Sequence, residues 1–252
     1  LDDPVTLLAV LNKTLTTIGA PGTGVEQMAL ASEAVDLAVR LGDAVAEFSA
    51  SFQQVSASVQ VVDREALDRS VDRCHEIANQ IGQPVLRWQS CLVSGLRALL
   101  DGDVSAAEAW GEEALVHGVA EPEALPAWGG QTLELRRIQG RIDEVVDLFA
   151  EVASDPVDIA DVVGSAVAAM AADAGDLDRA RSLIDEASAG GFAHSRDFLW
   201  TSTTVMYGEA TAGVGDRVAD ALDRRLLADV AVVHRIAGAE DAPVDDGAVA
   251  TR

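Results

Sequence analysis

Apolar residues recur along most of this sequence at the spacing of an amphipathic helix. The clearest case is DREALDRSVDRCHEIANQIG at 63–82, where charged residues fill the face opposite the apolar stripe. That stripe consists of Leu67, Val71, Cys74, Ile77, Ala78 and Ile81. Asp63 stands where an N-cap belongs, Gly82 suits the left-handed position after a helix, and Pro84 stops continuation. Strand-like runs are few and short (VSASVQVV and VAVVH), so the pattern predicts an all-α protein.

The predicted helix boundaries return at a regular distance. Breaks at residues 22, 62, 102, 140, 175 and 215 are separated by 40, 40, 38, 35 and 40 residues, and a second set lies between them. Each interval holds one amphipathic helix; in GDLDRARSLIDEASAGG, Asp176 is the predicted N-cap and Gly190 ends the helix. A period of about 35–45 residues is typical of an α-solenoid of stacked helical hairpins.

We therefore expect a right-handed α-solenoid of about six helix-turn-helix hairpins, without a sheet. The hairpins are predicted at 4–41, 43–81, 83–118, 121–154, 157–190 and 195–228. Residues 229–240 continue the repeat domain, which spans 1–240, and 241–252 form an acidic, flexible tail.

The stretch GAPGTG at 19–24 resembles a phosphate-binding loop only at first sight. A P-loop requires a lysine and a hydroxyl after its last glycine, whereas Val25 and Glu26 follow Gly24 here. Thr23 and Glu26 instead have the spacing of a helix capping box. With Gly19 and Pro21 ending the preceding helix, the stretch is predicted to be the first hairpin corner.

Composition narrows the classes of function. The chain has 252 residues, 49% of them hydrophobic, and a net charge of −24, which repels nucleic acids and anionic membranes. Cys74 and Cys91 lie in apolar helical stretches and are expected to be buried, free thiols, as suits the cytoplasm. We expect neither a transmembrane helix nor a signal peptide, and the missing initiator Met suggests a piece of a longer polypeptide.

Several blocks, taken in order, resemble one family over about residues 1–240. They are RLGDAVAEF, QIGQPVLRWQSCL, LLDGDVSAAEAWGEEAL, AGDLDRARSLIDEASAGGF and RDFLWTSTTVMYGEATAGVGD. They are similar to the helical-repeat region of large actinobacterial signal-transduction ATPases, in which a tetratricopeptide-like array follows an AAA-like nucleotide-binding module. Some of these regulators carry an adenylate or guanylate cyclase domain and others a LuxR-type helix-turn-helix. The Walker motif, the cyclase core and the DNA-reading helix are absent here, so the resemblance implies the sensor or interaction part.

No motif indicates catalysis, a cofactor or a metal. The four histidines, His75, His117, His194 and His234, lie in different repeats, and Cys74 and His75 are neighbours that point apart on a helix. A G-x-S-x-G elbow is missing as well. We therefore expect a protein that is not an enzyme.

Aromatic and basic residues on the predicted first helices are the remaining candidates for a site. They are Arg87, Trp88, Trp128, Arg136, Arg196, Trp200 and Tyr207. First helices usually line the concave face of such arrays, where Arg and Trp anchor partners. Packing between neighbouring hairpins is the alternative, and both stay open at this point.

Two functions follow from such a groove. The first is a non-enzymatic regulatory module that binds a protein partner or the parent protein's own ATPase module. The second is a sensor that takes a small-molecule inducer in the concave groove. Self-association into a homodimer through the end of the array is a further option.

Overall fold

The computed structural model describes residues 3–17, 23–121, 124–142, 144–145, 160–190, 192 and 200–215. Within these ranges the chain forms ten α-helices and no strand, which confirms the predicted all-α class. The helices are α1 Pro4–Leu15, α2 Gly24–Leu41, α3 Ala44–Gln60, α4 Arg64–Ile81, α5 Pro84–Leu100, α6 Val104–Gly118, α7 Ala124–Gln139, α8 Ala160–Asp173, α9 Leu177–Ala189 and α10 Trp200–Val214. The run VSASVQVV is helical up to Gln60, and VAVVH and the tail at 241–252 lie outside the described residues.

Most of the described corners between helices share two features. A residue with positive φ follows the end of one helix, and the next residue is the N-cap of the following helix. Glycine takes the positive-φ position at 42, 82, 102, 140, 175 and 215, and Val62 takes it at φ 57°. At the Val62 corner, the Asp63 N–H donates to the Ser58 carbonyl at 2.9 Å, the hydrogen bond of a Schellman motif. The same six-residue closure occurs after Gly42, Gly102, Gly140 and Gly175.

The second feature of these corners is an aspartate N-cap. The Asp63 carboxylate accepts from the Ala66 N–H at 2.9 Å, and the Asp176 carboxylate accepts from the Arg179 N–H at 3.2 Å, as predicted for both. Asp43 and Asp103 cap α3 and α6 in the same way. These caps let one helix follow another after two or three residues.

The corner at GAPGTG differs from its prediction in one respect. Thr23 occupies the N-cap position of α2, but its hydroxyl does not accept a capping hydrogen bond. The backbone of Thr23 has φ −94° and ψ 4°, outside the extended conformation that brings an N-cap side chain back over the helix end. The predicted roles of Gly19 and Pro21 fall outside the described residues.

The core lies between successive helices. The predicted α4 stripe is buried except for Ile81, which is half-buried, and it packs with Phe48 of α3 and with Leu86 and Val93 of α5. Both cysteines are buried and free, as predicted. Helices also contact the next helix but one, in the pairs α1–α3, α3–α5, α5–α7 and α8–α10. Among the described helices, the first helices of the first four predicted hairpins are therefore successive neighbours, and so are those of the fifth and sixth. The second helices α2, α4, α6 and α9 pack against the first helices of their own hairpins.

Among the helices that the structure describes, none combines the length and apolar character needed to cross a lipid bilayer.

Candidate functional site

The predicted groove residues fall on three of the first helices. Arg87 and Trp88 lie in the first turns of α5, Trp128 and Arg136 lie on α7, and Tyr207 lies on α10. Trp200 begins α10, but its side chain, like all of Arg196, is outside the described residues. Within the described residues, the candidate site is therefore the region where α5, α6 and α7 meet.

Trp88 is used for packing. Its side chain is 5% exposed, and its Cβ and Cγ lie 3.3 Å from the position of a Cβ added to Gly118. The glycine at the end of α6 thus makes room for the indole. The indole N–H has no hydrogen-bond partner within the described residues, and neither does the buried Nε of Arg87.

Tyr207 is also a packing residue. It is buried, and its ring meets that of Phe192 edge to face at 5.6 Å. Its hydroxyl lies beside Gly164 of α8, 3.3 Å from where a Cβ would be. The geometry of Trp88 and Tyr207 therefore matches the packing alternative of the sequence analysis.

Trp128 and Arg136 line a small cleft between α6 and α7. The other lining residues are Glu108, Gly111, Glu112, Gln131, Thr132 and Leu135. The half-buried Trp128 ring lies over Gly111, whose added Cβ would be 3.6 Å from the indole. The cleft has a volume of about 40 Å³. Sites for drug-sized ligands are roughly 300–1,000 Å³, so this cleft holds little more than solvent.

Arg136 is tied to carboxylates rather than free for a ligand. Its guanidinium lies 2.7 Å from Glu108 of α6 and 3.5 Å from Glu144, and it donates to the Gln139 side-chain oxygen at 2.7 Å. The hydrogen bond from Arg136 lowers the pKa of the Glu108 carboxyl below its ordinary value. Arg136 therefore joins α7 to α6.

Other arginines make similar links between helices. Arg73 of α4 contacts Glu47 of α3 at 2.5 Å, and Arg97 of α5 contacts Asp72 of α4 at 2.6 Å. Arg137 of α7 reaches both Asp173 at the end of α8 and Glu209 of α10. Since the sequence has 42 acidic and only 18 basic residues, these pairs leave a large excess of carboxylates.

The structure also assembles a cluster that sequence reasoning missed. Cys91 of α5 and Glu113 and His117 of α6 place a sulfur, a carboxylate oxygen and an imidazole nitrogen within 4.8 Å of one another. Spacing along the sequence relates His117 neither to another histidine nor to Cys74. The available signal was the spacing of Glu113 and His117, which puts both on one face of a helix.

The comparisons with known proteins do not identify a family for this chain, because no family model, no curated protein and no solved structure matches it.

Proposed function

We propose that this chain is a non-enzymatic protein-interaction module, the helical-repeat part of a larger cytoplasmic bacterial signalling or transcriptional regulator. In this proposal the helices form a right-handed, tetratricopeptide-like solenoid of about six hairpins. The observation that carries it is the succession of contacts α1–α3, α3–α5 and α5–α7. A row of neighbouring first helices offers one extended surface, and a repeat array presents such a surface without having to order a loop.

The size of the cleft favours a protein partner over a small-molecule inducer. About 40 Å³ beside Trp128 and Arg136 is several-fold below the volume of a typical ligand site. A protein segment needs no enclosed cavity, because it binds across several shallow positions and buries about 800 Å² on each side. Trp128 is the anchor that we assign to this surface, since it is only half-buried.

The charge distribution indicates the chemistry of the partner. The excess carboxylates repel nucleic acid and acidic surfaces and attract basic protein surfaces. The parent regulator's own ATPase module is such a partner if it presents a basic face. Association should then be fast at low salt and slower at high salt, because surface charges steer the encounter.

Site-specific photo-crosslinking in the native host tests this proposal. A benzophenone amino acid replaces Trp128 on the α7 surface or, as the control, Val116 of α6, whose side chain is 72% exposed. We expect position 128 to give one defined protein adduct that weakens at 0.5 M salt, while position 116 gives none. Equal labelling from both positions, or no adduct from position 128, would refute an interaction surface at α7.

A further inference from the structure

The cluster at Cys91 arises from the mirror symmetry of the α5–α6 hairpin. Cys91 lies eleven residues before Gly102 and Glu113 lies eleven residues after it, so antiparallel helices of equal rise bring the two to the same level. His117 follows Glu113 by four residues and therefore lies on the same face of α6. The two helices and the corner between them thus place all three residues next to one another.

The distances are close to those of a coordination sphere. The imidazole Nε2 of His117 lies 3.7 Å from the carboxylate oxygen of Glu113, and all three ligand atoms lie within 4.8 Å of one another. Around a tetrahedral zinc ion, with bonds of about 2.0–2.3 Å, ligand atoms are about 3.3–3.6 Å apart. Shifts of about 1 Å in the half-exposed Glu113 and His117 side chains would close the set.

We propose that Cys91, Glu113 and His117 bind a divalent transition-metal ion of the zinc type, with a fourth coordination position open to solvent or to a partner's side chain. Thiolate and imidazole select such ions over Mg²⁺ and Ca²⁺, which prefer oxygen ligands. The ion would join α5 to α6 close to the contact of Trp88 with Gly118.

Cys91 differs from the second cysteine, Cys74, in having charged side chains that act on its thiol. Burial raises the pKa of the Cys74 thiol to about 12. Burial raises the pKa of Cys91 to about 11, the Glu113 carboxylate adds to this, and the Arg87 guanidinium opposes it. Without an ion Cys91 is a protonated thiol, and an ion would bind by displacing that proton. Two anionic ligands would offset the charge of the ion, and the Arg87 guanidinium is a further cation that acts on the thiol.

An ordinary surface ion pair is the competing account of Glu113 and His117. Pairs at this spacing on a helix are common, and they neither need nor position a thiol. The two accounts differ in one observable, which is a bond between the metal and sulfur.

Cobalt(II) reports that bond directly. The full chain, chelator-treated and reduced, is titrated with Co²⁺, and the near-ultraviolet thiolate-to-cobalt charge-transfer band and the visible d–d bands are recorded. We expect one equivalent of Co²⁺ to bind with a charge-transfer band, and Zn²⁺ to displace it. Cys91→Ser should abolish the band, whereas Cys74→Ala, which removes the other buried thiol, should leave it unchanged.

Two further variants keep the test informative if Cys91→Ser folds poorly. Glu113 and His117 have side chains that are 55% and 26% exposed, so Glu113→Gln and His117→Gln should fold normally by circular dichroism. Each should weaken Co²⁺ binding by at least about tenfold. The proposal is overturned if wild type shows no charge-transfer band, if the band survives Cys91→Ser, or if both glutamine variants bind as tightly as wild type. None of these readouts needs a protein partner, so they do not depend on the interaction proposed above.

Discussion

Val62 occupies a left-handed backbone position. Six of the described residues with positive φ are glycines, and Phe192 is the one other that is not. The φ of 57° at Val62 costs an L-residue about 1–2 kcal/mol, and a β-branched side chain is among the least suited to it. The side chain is 89% exposed, so it gains almost no burial in return. Val62→Gly should therefore stabilise the protein.

The magnitude is the difference between two opposing contributions. Relief of the left-handed conformation contributes about 1–2 kcal/mol, and the greater freedom of glycine in the unfolded chain removes about 0.5–1 kcal/mol. The midpoints of these two ranges leave a net gain of about 0.75 kcal/mol in the free energy of unfolding. For a chain of this size that raises Tm by roughly 1–4 °C.

Val119 provides a matched control. It is 88% exposed at the end of α6, but its φ is −54°, which any L-residue adopts readily. Val119→Gly relieves nothing and should lose up to about 1 kcal/mol. Urea unfolding followed by the helical circular-dichroism signal compares the two variants, with the midpoint used only where the slope m is unchanged. If Val62→Gly is no more stable than wild type, or if both variants shift in the same direction, the strain argument is wrong.

Three further predictions concern the caps, the close contacts and the ion pairs. Asp63→Ala should lose about 1 kcal/mol of unfolding free energy, because the Ala66 N–H loses its cap, while Asp63→Asn should stay near wild type. Gly118→Ala should cost about 1–3 kcal/mol, since its Cβ would lie 2.4 Å from that of Ala124. Gly130→Ala should stabilise, because apart from its chain neighbours and its own helix backbone no atom of the described residues lies within 4 Å of the added Cβ. Thermal melts of both variants separate overpacking from helix propensity. Glu108→Gln should lower Tm at pH 7 but progressively less below about pH 4.5, because a carboxyl whose pKa is lowered in the folded state stabilises above its unfolded pKa and loses that contribution on protonation. Repulsion among the excess carboxylates changes with pH in both proteins, so the difference in Tm between them isolates Glu108.

The helices and their corners could be predicted because they depend on local chemistry. The stripe of α4, the Asp63 and Asp176 caps and the left-handed Gly82 each follow from a few adjacent residues, and the structure has them as expected. The break at Val62 lacks a glycine, yet the period and the Asp63 N-cap place it. Thr23 shows the limit of such patterns, because the capping-box spacing was present and the backbone did not bring the hydroxyl into place.

The candidate site could be predicted only in part, because it depends on which helices meet. The sequence placed Trp88, Trp128 and Tyr207 on first helices but could not distinguish a half-buried indole from a buried one. That distinction depends on the residues that face each indole on a neighbouring helix. Gly118 leaves space for Trp88, and Gly111 lies against the ring of Trp128. The availability of Arg136 likewise depends on Glu108, which lies on another helix.

A single geometric relation predicts several other contacts between neighbouring helices. Residues equally far from a hairpin corner lie at the same level of two antiparallel helices. Eight residues on either side of Val62 stand Gln54 and Ser70, whose side chains are hydrogen-bonded at 3.0 Å. Eighteen residues on either side of Gly42 stand Gly24 and Gln60, where an added Cβ would lie 2.7 Å from the Gln60 Cβ.

The same relation about Gly102 pairs Cys91 with Glu113. Mirror positions about a corner are computable from the sequence once the corners are known, and here the corners were among the most secure features of the pattern. The relation holds wherever the two helices are straight and the corner between them is short. The left-handed residue and the aspartate cap keep the corner short. In an array of this kind, a search for chemistry should therefore compare residues across each corner, because neighbours along one helix supply only half of a site.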